Sequence, residues 1–397
     1  MRIQAALAHH GHRGEPLRVL CISHSATSRV HGRLRYGSLL DRPDLQLDLV
    51  MPDRWSERGR WLVPDPLHPD EGWVHPLPIR WARMGSATWH LHHYVELGRL
   101  MRRLRPQVIH LWQEPWSLVA LQALRLRNRL CPETPLVLEI DQNLHKRLPA
   151  PFEQIRRGVL RQTSHVLGRS EEAIGVVRAC GYGGPASRIG YGVDQSVFRP
   201  LERAAGLRTP GRLTVGYVGR LIEEKGVGDL IEAISRAAAP VRLAIMGEGP
   251  FRASLVAQAA ALGVLDRVRI LPWGPPEEVA RFMAGLDVLA LLTRTTNTVR
   301  EQFGRVIIEA QACGVPVIGS GSGAIPDVVG DGGWIVPERT PAVVAALLDR
   351  LAGQPLELAA ARARAVRQVV ERFSFSNQAA ALEDAWWSVA KVRAPAG

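Results

Sequence analysis

Several things are scarce in this chain of 397 residues, and each scarcity narrows what it can do. There are four cysteines, Cys21, Cys131, Cys180 and Cys313, far apart and without a C-x2-C pair. That spacing argues against structural zinc and against a disulfide framework, and it fits a reducing compartment. No apolar run approaches the roughly eighteen residues needed to span a bilayer. The opening stretch, MRIQAALAHHGHRG, is too short and polar for a secretory signal. A cytoplasmic protein is therefore expected. No D-x-D sits at a strand end, and no His/Asp cluster has ligand spacing, so neither a metal nor a cofactor is expected. His9, His10 and His12 fall in the leading tail, and His90, His92 and His93 in a loop or helix. The G-x-G-x-x-G of a dinucleotide site is missing after the first strand, as is its supporting acid, which argues against an NAD-binding oxidoreductase. No internal repeat of 20–50 residues is evident.

What is present is the composition of an ordinary globular protein, 46% hydrophobic and 22% charged. At this length two domains are the better expectation. Strand-like and helix-like stretches alternate in both halves, which predicts an α/β protein of two parallel-sheet domains facing a cleft. The expected divisions are a flexible tail over 1–16, a first domain over 17–195, a second over 196–373, and a last helical segment over 374–397. The net charge of +12 is unevenly placed, because residues 1–200 hold 28 Lys and Arg against 18 Asp and Glu. Seven of the eleven tryptophans also lie at or before Trp116. Clustered Arg and Trp suggest an anionic or lipid-contacting surface on the first half. The competing reading is that the tryptophans are core anchors and the arginines compositional, since nearly every cation here is Arg. No nucleic-acid partner is expected.

The most informative stretch is EQFGRVIIEAQACGVPVIGSGSG, from Glu301 to Gly323. Val306 to Cys313 reads as a mostly apolar helix that Gly314 stops. Val315 to Ile318 reads as a buried strand, and a glycine-rich loop follows. Glu309 is out of place on such a helix, because a buried carboxylate is costly unless it gains hydrogen bonds. Glu301 lies eight residues earlier, just outside the helix. Both acids face the mouth of the unit, near a helix N-terminus that favours anions. Acids that accept hydroxyl bonds, beside a helix end that accepts phosphate, suit a nucleotide-sugar. The alternative is that Glu309 is simply exposed. Farther upstream, GRLIEEKG places Arg220 and Lys225 at one strand-loop-helix junction, a pattern suited to pyrophosphate.

Together these residues resemble the family-4 retaining glycosyltransferases of GT-B fold, two Rossmann-like domains with parallel sheets facing a central cleft. The resemblance lies in Glu301, Phe303, Gly304, Glu309, Ala310, Ala312, Gly314, Pro316 and Val317, and in G-R-x4-K-G at Gly219 to Gly226. IGYGVDQSVFRP, at 189–200, is similar to that family's domain junction. The resemblance implies a UDP- or GDP-sugar donor. Arg220 and Lys225 would bind its diphosphate, Glu301 the sugar, and Glu309 the ribose. Glu248 in GEGP and Trp273 would lie on the donor side with Phe303 and Gly304, Trp273 near the nucleobase. It also implies a retained anomeric configuration. A glycan or lipid-linked acceptor in polysaccharide or cell-envelope synthesis would fit, met at the inner face of the plasma membrane.

The first half matches only in outline. Its first loop, SHSATSRVHGRLRYG, has Gly32 alone before the helix, where the family often has paired glycines. His24, Arg33 and Arg35 in this segment, His110 and Glu114 around the next strand end, and Asn143 are the acceptor-side candidates. Asp141 stands near where many relatives carry a His. It is expected either to contact substrate, as the one strand-end carboxylate available for a catalytic role, or to cap a turn. A GT-B sugar-nucleotide epimerase and an inactive nucleotide-binding relative remain as alternatives.

Overall fold

A computed structural model describes residues 15–57, 60–81, 90–202 and 211–391. The expected tail over 1–16 lies largely outside them. Two parallel sheets dominate. The first holds seven strands: β1 (Leu17–Ser23), β2 (Leu45–Pro52), β3 (Val74–Leu77), β4 (Val108–Trp112), β5 (Leu136–Ile140), β6 (His165–Gly168) and β7 (Ala186–Arg188). Their spatial order is β7-β6-β5-β4-β1-β2-β3. The second holds six: β8 (Leu213–Val218), β9 (Val241–Met246), β10 (Val268–Leu271), β11 (Val288–Leu291), β12 (Val317–Ser320) and β13 (Gly333–Val336), ordered β10-β9-β8-β11-β12-β13.

Helices cover both faces of each sheet, so most strands are buried throughout, as the short β-branched runs require. The strand order reverses between β1 and β4 in one sheet, and between β8 and β11 in the other. Loops leaving neighbouring strands diverge there and open a crevice at the carboxyl ends. The helix Phe375–Lys391 returns to the first sheet, where Leu382 and Trp386 join the apolar cluster of Leu17, Val19 and Leu49. Gln378 ties this helix to the junction through Gly192 N and Gly190 O. No helix of the described residues is long and apolar enough to cross a membrane.

Several local expectations shift. A helix runs over Leu97–Leu104, and just before it His93–Tyr94 pairs with Ile79–Arg80 as a short antiparallel ribbon. The strand expected over 315–318 runs over 317–320. Val315 N still bonds Ala310 O in the closing turn of the helix, with Gly314 at φ +72°, and Pro316 has no N–H to offer. Residues 52–80 hold β3 and further short strands. The aromatic surface suggested for the first half is largely interior. Trp55, Trp112 and Trp116 are buried, and Trp73 packs edge-on to buried Tyr36. Trp81 is exposed, Trp89 lies outside the described residues, and nothing is described of the Trp61 side chain.

Trp386 is fully buried between the returning helix and the first sheet, with its ring 5.8 Å from that of His110. Trp386→Ala should lower the free energy of denaturant unfolding by about 3–5 kcal/mol, as cavity-forming aromatic truncations do. A loss below about 1 kcal/mol would contradict this packing role.

Candidate active site

The carboxyl ends of β8 and β11 open into a cleft of about 770 Å³ between the two halves. Val30 and His31 line it from the first half, while Gly219, Arg220, Lys225 and the Glu301–Glu309 segment line it from the second. β8 ends at Val218 and hands the chain to Gly219 and Arg220. Arg220 is exposed, with no ion pair or hydrogen bond to its guanidinium among the described residues. A single turn, Glu223–Lys225, follows. Gly226 then takes φ +70° and comes so close to Leu292 that an added Cβ would lie 2.0 Å from that carbonyl oxygen. Glycine is therefore required here, and it fixes Lys225 against the end of β11.

Lys225 Nζ lies 2.5 Å from Glu301 Oε2, and Thr293 Oγ donates to the same oxygen at 2.9 Å. The Glu301 backbone is held as firmly. Its carbonyl accepts from Ala324 N at 3.1 Å and from Asn143 Nδ2 of the first half at 2.9 Å. Gly323, at φ +55°, passes so close to this carbonyl that a Cβ would meet it at 2.1 Å. The glycines of the loop after β12 thus serve the position of Glu301.

Helix Arg305–Ala312 starts from Gly304 at φ +81° and carries Glu309 into the cleft. Glu309 is half-buried, and burial pushes its carboxyl up to about 7, with Arg305 acting in the opposite direction. His31, across the cleft, is held down at about 4 by burial and by the nearby Arg305 guanidinium, so it is neutral at pH 7. Glu248 and the 56%-exposed Trp273 also line the cleft. Phe303 does not line the cleft. It is buried beneath, edge-on to Tyr191 and Phe373, so its expected donor contact becomes a packing role.

The first-half candidates are placed differently from expectation. Arg33 is interior, bonded to Glu71 Oε1 at 3.1 Å and to the carbonyls of Ala26, Asp65 and Pro66. Arg35 is buried in a bidentate pair with Glu139 at 2.8 and 2.9 Å. His110 is buried on β4, with Nε2 3.1 Å from the same Glu139. Burial would raise the Glu139 carboxyl, but Arg169 and Arg35 more than offset this and hold it well below the usual range. None of these three reaches the cleft, because parallel strands covered on both sides place even their polar residues inside.

Asp141 is likewise occupied. Oδ1 accepts from Arg169 Nε at 2.6 Å and from Tyr191 Oη at 2.8 Å, and Oδ2 from Trp112 Nε1 at 3.0 Å. Burial pushes its carboxyl up, and Arg169 brings it below the ordinary value. Asp141 is not among the residues lining the cleft, and its observed work is to hold Trp112, Arg169 and Tyr191 together. Glu114 accepts from the backbone N–H groups of Asp141 and Gln142 at 3.0 and 2.8 Å. Burial and the Asp141 charge raise it to about 7. His24 stacks on Trp55 and exchanges a hydrogen bond with Gln113, held down at about 4 by burial. Asn143 is the candidate of the first half brought to Glu301.

Sequence reasoning passed over Thr293, Arg305 and Tyr191. Tyr191 sits between two guanidinium groups, Arg169 at 3.9 Å and Arg305 at 4.0 Å from its ring centre. Arg305 also donates to His31 O at 3.3 Å, and Arg300 pairs with Glu172 at 3.1 Å. These contacts span the two halves. Each depends on residues far apart in the chain, so the one local signal was Tyr191 within the glycine-rich junction.

Residues 198–369 match the family model for glycosyl transferases group 1. Among curated proteins, the chain is 37% identical over 174 residues to a D-inositol 3-phosphate glycosyltransferase of Segniliparus rotundus, covering 40% of this chain and 38% of that one. It is 32% identical over 174 residues to a 2-deoxystreptamine glucosyltransferase of Streptomyces kanamyceticus, covering 43% and 40%. The chain thus spans less than half the length of these two relatives. The backbone superposes on a sucrose-phosphate synthase from Thermosynechococcus elongatus with a TM-score of 0.71 at 18% identity, over 96% of this chain and 100% of that one. It superposes on Anabaena HepE, solved with UDP and glucose, with a TM-score of 0.65 at 17% identity, over 94% and 100%. The fold is thus the GT-B arrangement, and residues 198–369 are similar to the glycosyl transferases group 1 family.

A carboxylate that must accept hydroxyl bonds in its ionised form makes binding depend on pH. Because burial pushes the Glu309 carboxyl up to about 7, nucleoside-diphosphate affinity should be full above that pH. It should fall below it, by up to about tenfold per unit. Calorimetry across pH 5.5–8.5 checks this, with Glu309→Gln expected to flatten the profile. A wild-type affinity independent of pH would remove Glu309 from the binding surface.

Proposed function

We propose that the protein transfers a sugar from a nucleoside-diphosphate sugar to a hydroxyl acceptor, with retention of configuration. The observation that carries this reading is the cleft itself, in which Arg220, Lys225 and Glu301 meet at the ends of β8 and β11, with Glu309 on the adjoining helix. The group 1 domain supports it, as does the resemblance in fold to a protein solved with UDP and glucose.

Each residue has a role that its chemistry suits. Arg220 and Lys225 hold the diphosphate and stabilise the charge that develops on it as the sugar–phosphate bond breaks. Glu301 orients the sugar, and Glu309 accepts from the ribose hydroxyls. A two-step displacement requires a free carboxylate placed to attack the reacting carbon. Asp141, the one first-half carboxylate considered for it, is engaged at both oxygens. The same-face reaction is therefore the better reading. The bond from the anomeric carbon to the phosphate oxygen breaks, that oxygen takes the acceptor proton, and the acceptor oxygen bonds the same face. The two cations supply the charge that a metal would otherwise bring, so the reaction is read as metal-independent.

The acceptor is read as anionic or lipid-linked, a precursor of a glycoconjugate met from the cytoplasmic side of a membrane. The names of the two relatives point to ring polyols, one of them phosphorylated. The exposed Arg99, Arg102 and Arg103 on the helix Leu97–Leu104 offer a basic face for such a partner or for an anionic bilayer. With the described tryptophans mostly interior, this part of the reading rests on charge.

Incubation with labelled nucleotide-sugars tests the function. Slow release of free sugar with the anomer retained by NMR, unaffected by EDTA, is expected. Glu301→Ala should reduce turnover far more than donor affinity, and Lys225→Ala should weaken nucleoside-diphosphate binding at least tenfold, or about 1.5–3 kcal/mol. Conversion of the donor into a second nucleotide-sugar would instead mark an epimerase. An inverted product or a glycosyl–Asp141 adduct would overturn the same-face step.

A further inference from the structure

A second cavity, of about 140 Å³, lies at the opposite end of the second sheet, at the amino ends of its strands. Thr214 is the second residue of β8 and pairs in register with Arg242, the second residue of β9. Ala244 on β9 pairs with Arg269 on the edge strand β10. Residues in register share a face of a parallel sheet, as do positions two apart on one strand. Thr214, Arg242 and Arg269 therefore converge on one face, and the small Ala244 between the two arginines leaves room. Arg267, in the turn before β10, adds a third guanidinium to the wall.

The groups lining this space want an acceptor. Thr214 is 1% exposed, yet its hydroxyl has no hydrogen-bond partner among the described residues, and neither does the buried Nε of Arg242. Unpaired buried donors are rare and costly, and usually mark a ligand, ion or water. None of the three arginines makes an ion pair among the described residues. Asp266 is the one acid of the wall and is exposed. The nearby Asp287 is already satisfied, accepting from Thr214 N and from Arg362, each at 3.0 Å.

We infer that this cavity binds a phosphate group. Three guanidinium groups and a hydroxyl suit a tetrahedral dianion, which accepts several charge-assisted bonds at once. The volume admits inorganic phosphate or the phosphate end of a small monoester. The site is separate from the donor cleft, which lies at the carboxyl ends of the same strands, and the inference does not depend on the proposed transferase activity.

The test is calorimetric titration of inorganic phosphate into the full chain carrying Arg220→Ala and Lys225→Ala, which removes the two cations of the donor cleft. One phosphate per chain is expected to bind. Adding Arg242→Gln or Thr214→Val should weaken binding at least tenfold. Should Arg242→Gln fail to fold, Arg269→Gln on the exposed edge strand gives the same readout with at least a threefold loss. A parallel titration with glycerol 3-phosphate assigns the source: tighter binding than phosphate marks a metabolite, weaker binding marks the free ion, and either order upholds the site. No binding heat in the cleft-disabled protein, or affinity unchanged by the Arg242 and Thr214 substitutions, would overturn the inference.

Discussion

The ion pair between Lys225 and Glu301 sets the arrangement of the cleft. Each partner leaves its own strand end, Lys225 after β8 and Glu301 after β11, and they meet at 2.5 Å. Such a pair is worth little when solvated, but here the side chains are 17% and 12% exposed, and losing either would leave a poorly hydrated charge. Two glycines are shaped to this contact. Gly226 brings Lys225 against Leu292, and Gly323 passes the Glu301 carbonyl where no side chain would fit. Under the proposed function, a diphosphate would have to compete with Glu301 for Lys225.

The Glu301 carbonyl also carries the link to the first half, through Asn143. Beside it, Tyr191 is clasped by Arg169 from the first half and Arg305 from the helix bearing Glu309. Its hydroxyl donates to Asp141, and its ring meets Phe303 edge-on. Aromatic faces attract guanidinium groups most when water is excluded, as it is around the buried Arg169. Asp141 thereby acts on the cleft at one remove. It fixes Tyr191, which in turn fixes Arg305, whose charge lowers both Glu309 and His31.

Much of the second half was legible in the sequence. Glycines at required turns, an acid on an apolar helix, and two cations at one junction are local patterns whose physical meaning does not depend on distant contacts. The alternation of strand and helix gave the two-sheet architecture for the same reason. The first half was harder to read because its polar residues answer to partners far along the chain. Arg35 is explained by Glu139, 104 residues away, and Arg33 by Glu71, 38 residues away. The surplus of arginine that suggested an anionic partner is partly consumed by these interior pairs. Lysine is rare enough that Lys225 is one of three, with Lys146 and Lys391. Asp141 looked like an available carboxylate because nothing nearby in sequence foretold Arg169, Trp112 and Tyr191 closing around it.

If Glu301 holds Lys225 until a diphosphate takes its place, the most direct measurement is the affinity of the full chain for a nucleoside diphosphate lacking the sugar, before and after Glu301→Gln. The amide keeps the shape of the side chain and removes the charge that competes for Lys225. Tighter binding by the variant, together with lost turnover, is the predicted result. Weaker binding would contradict it, since Glu301 would then support the diphosphate rather than yield Lys225 to it.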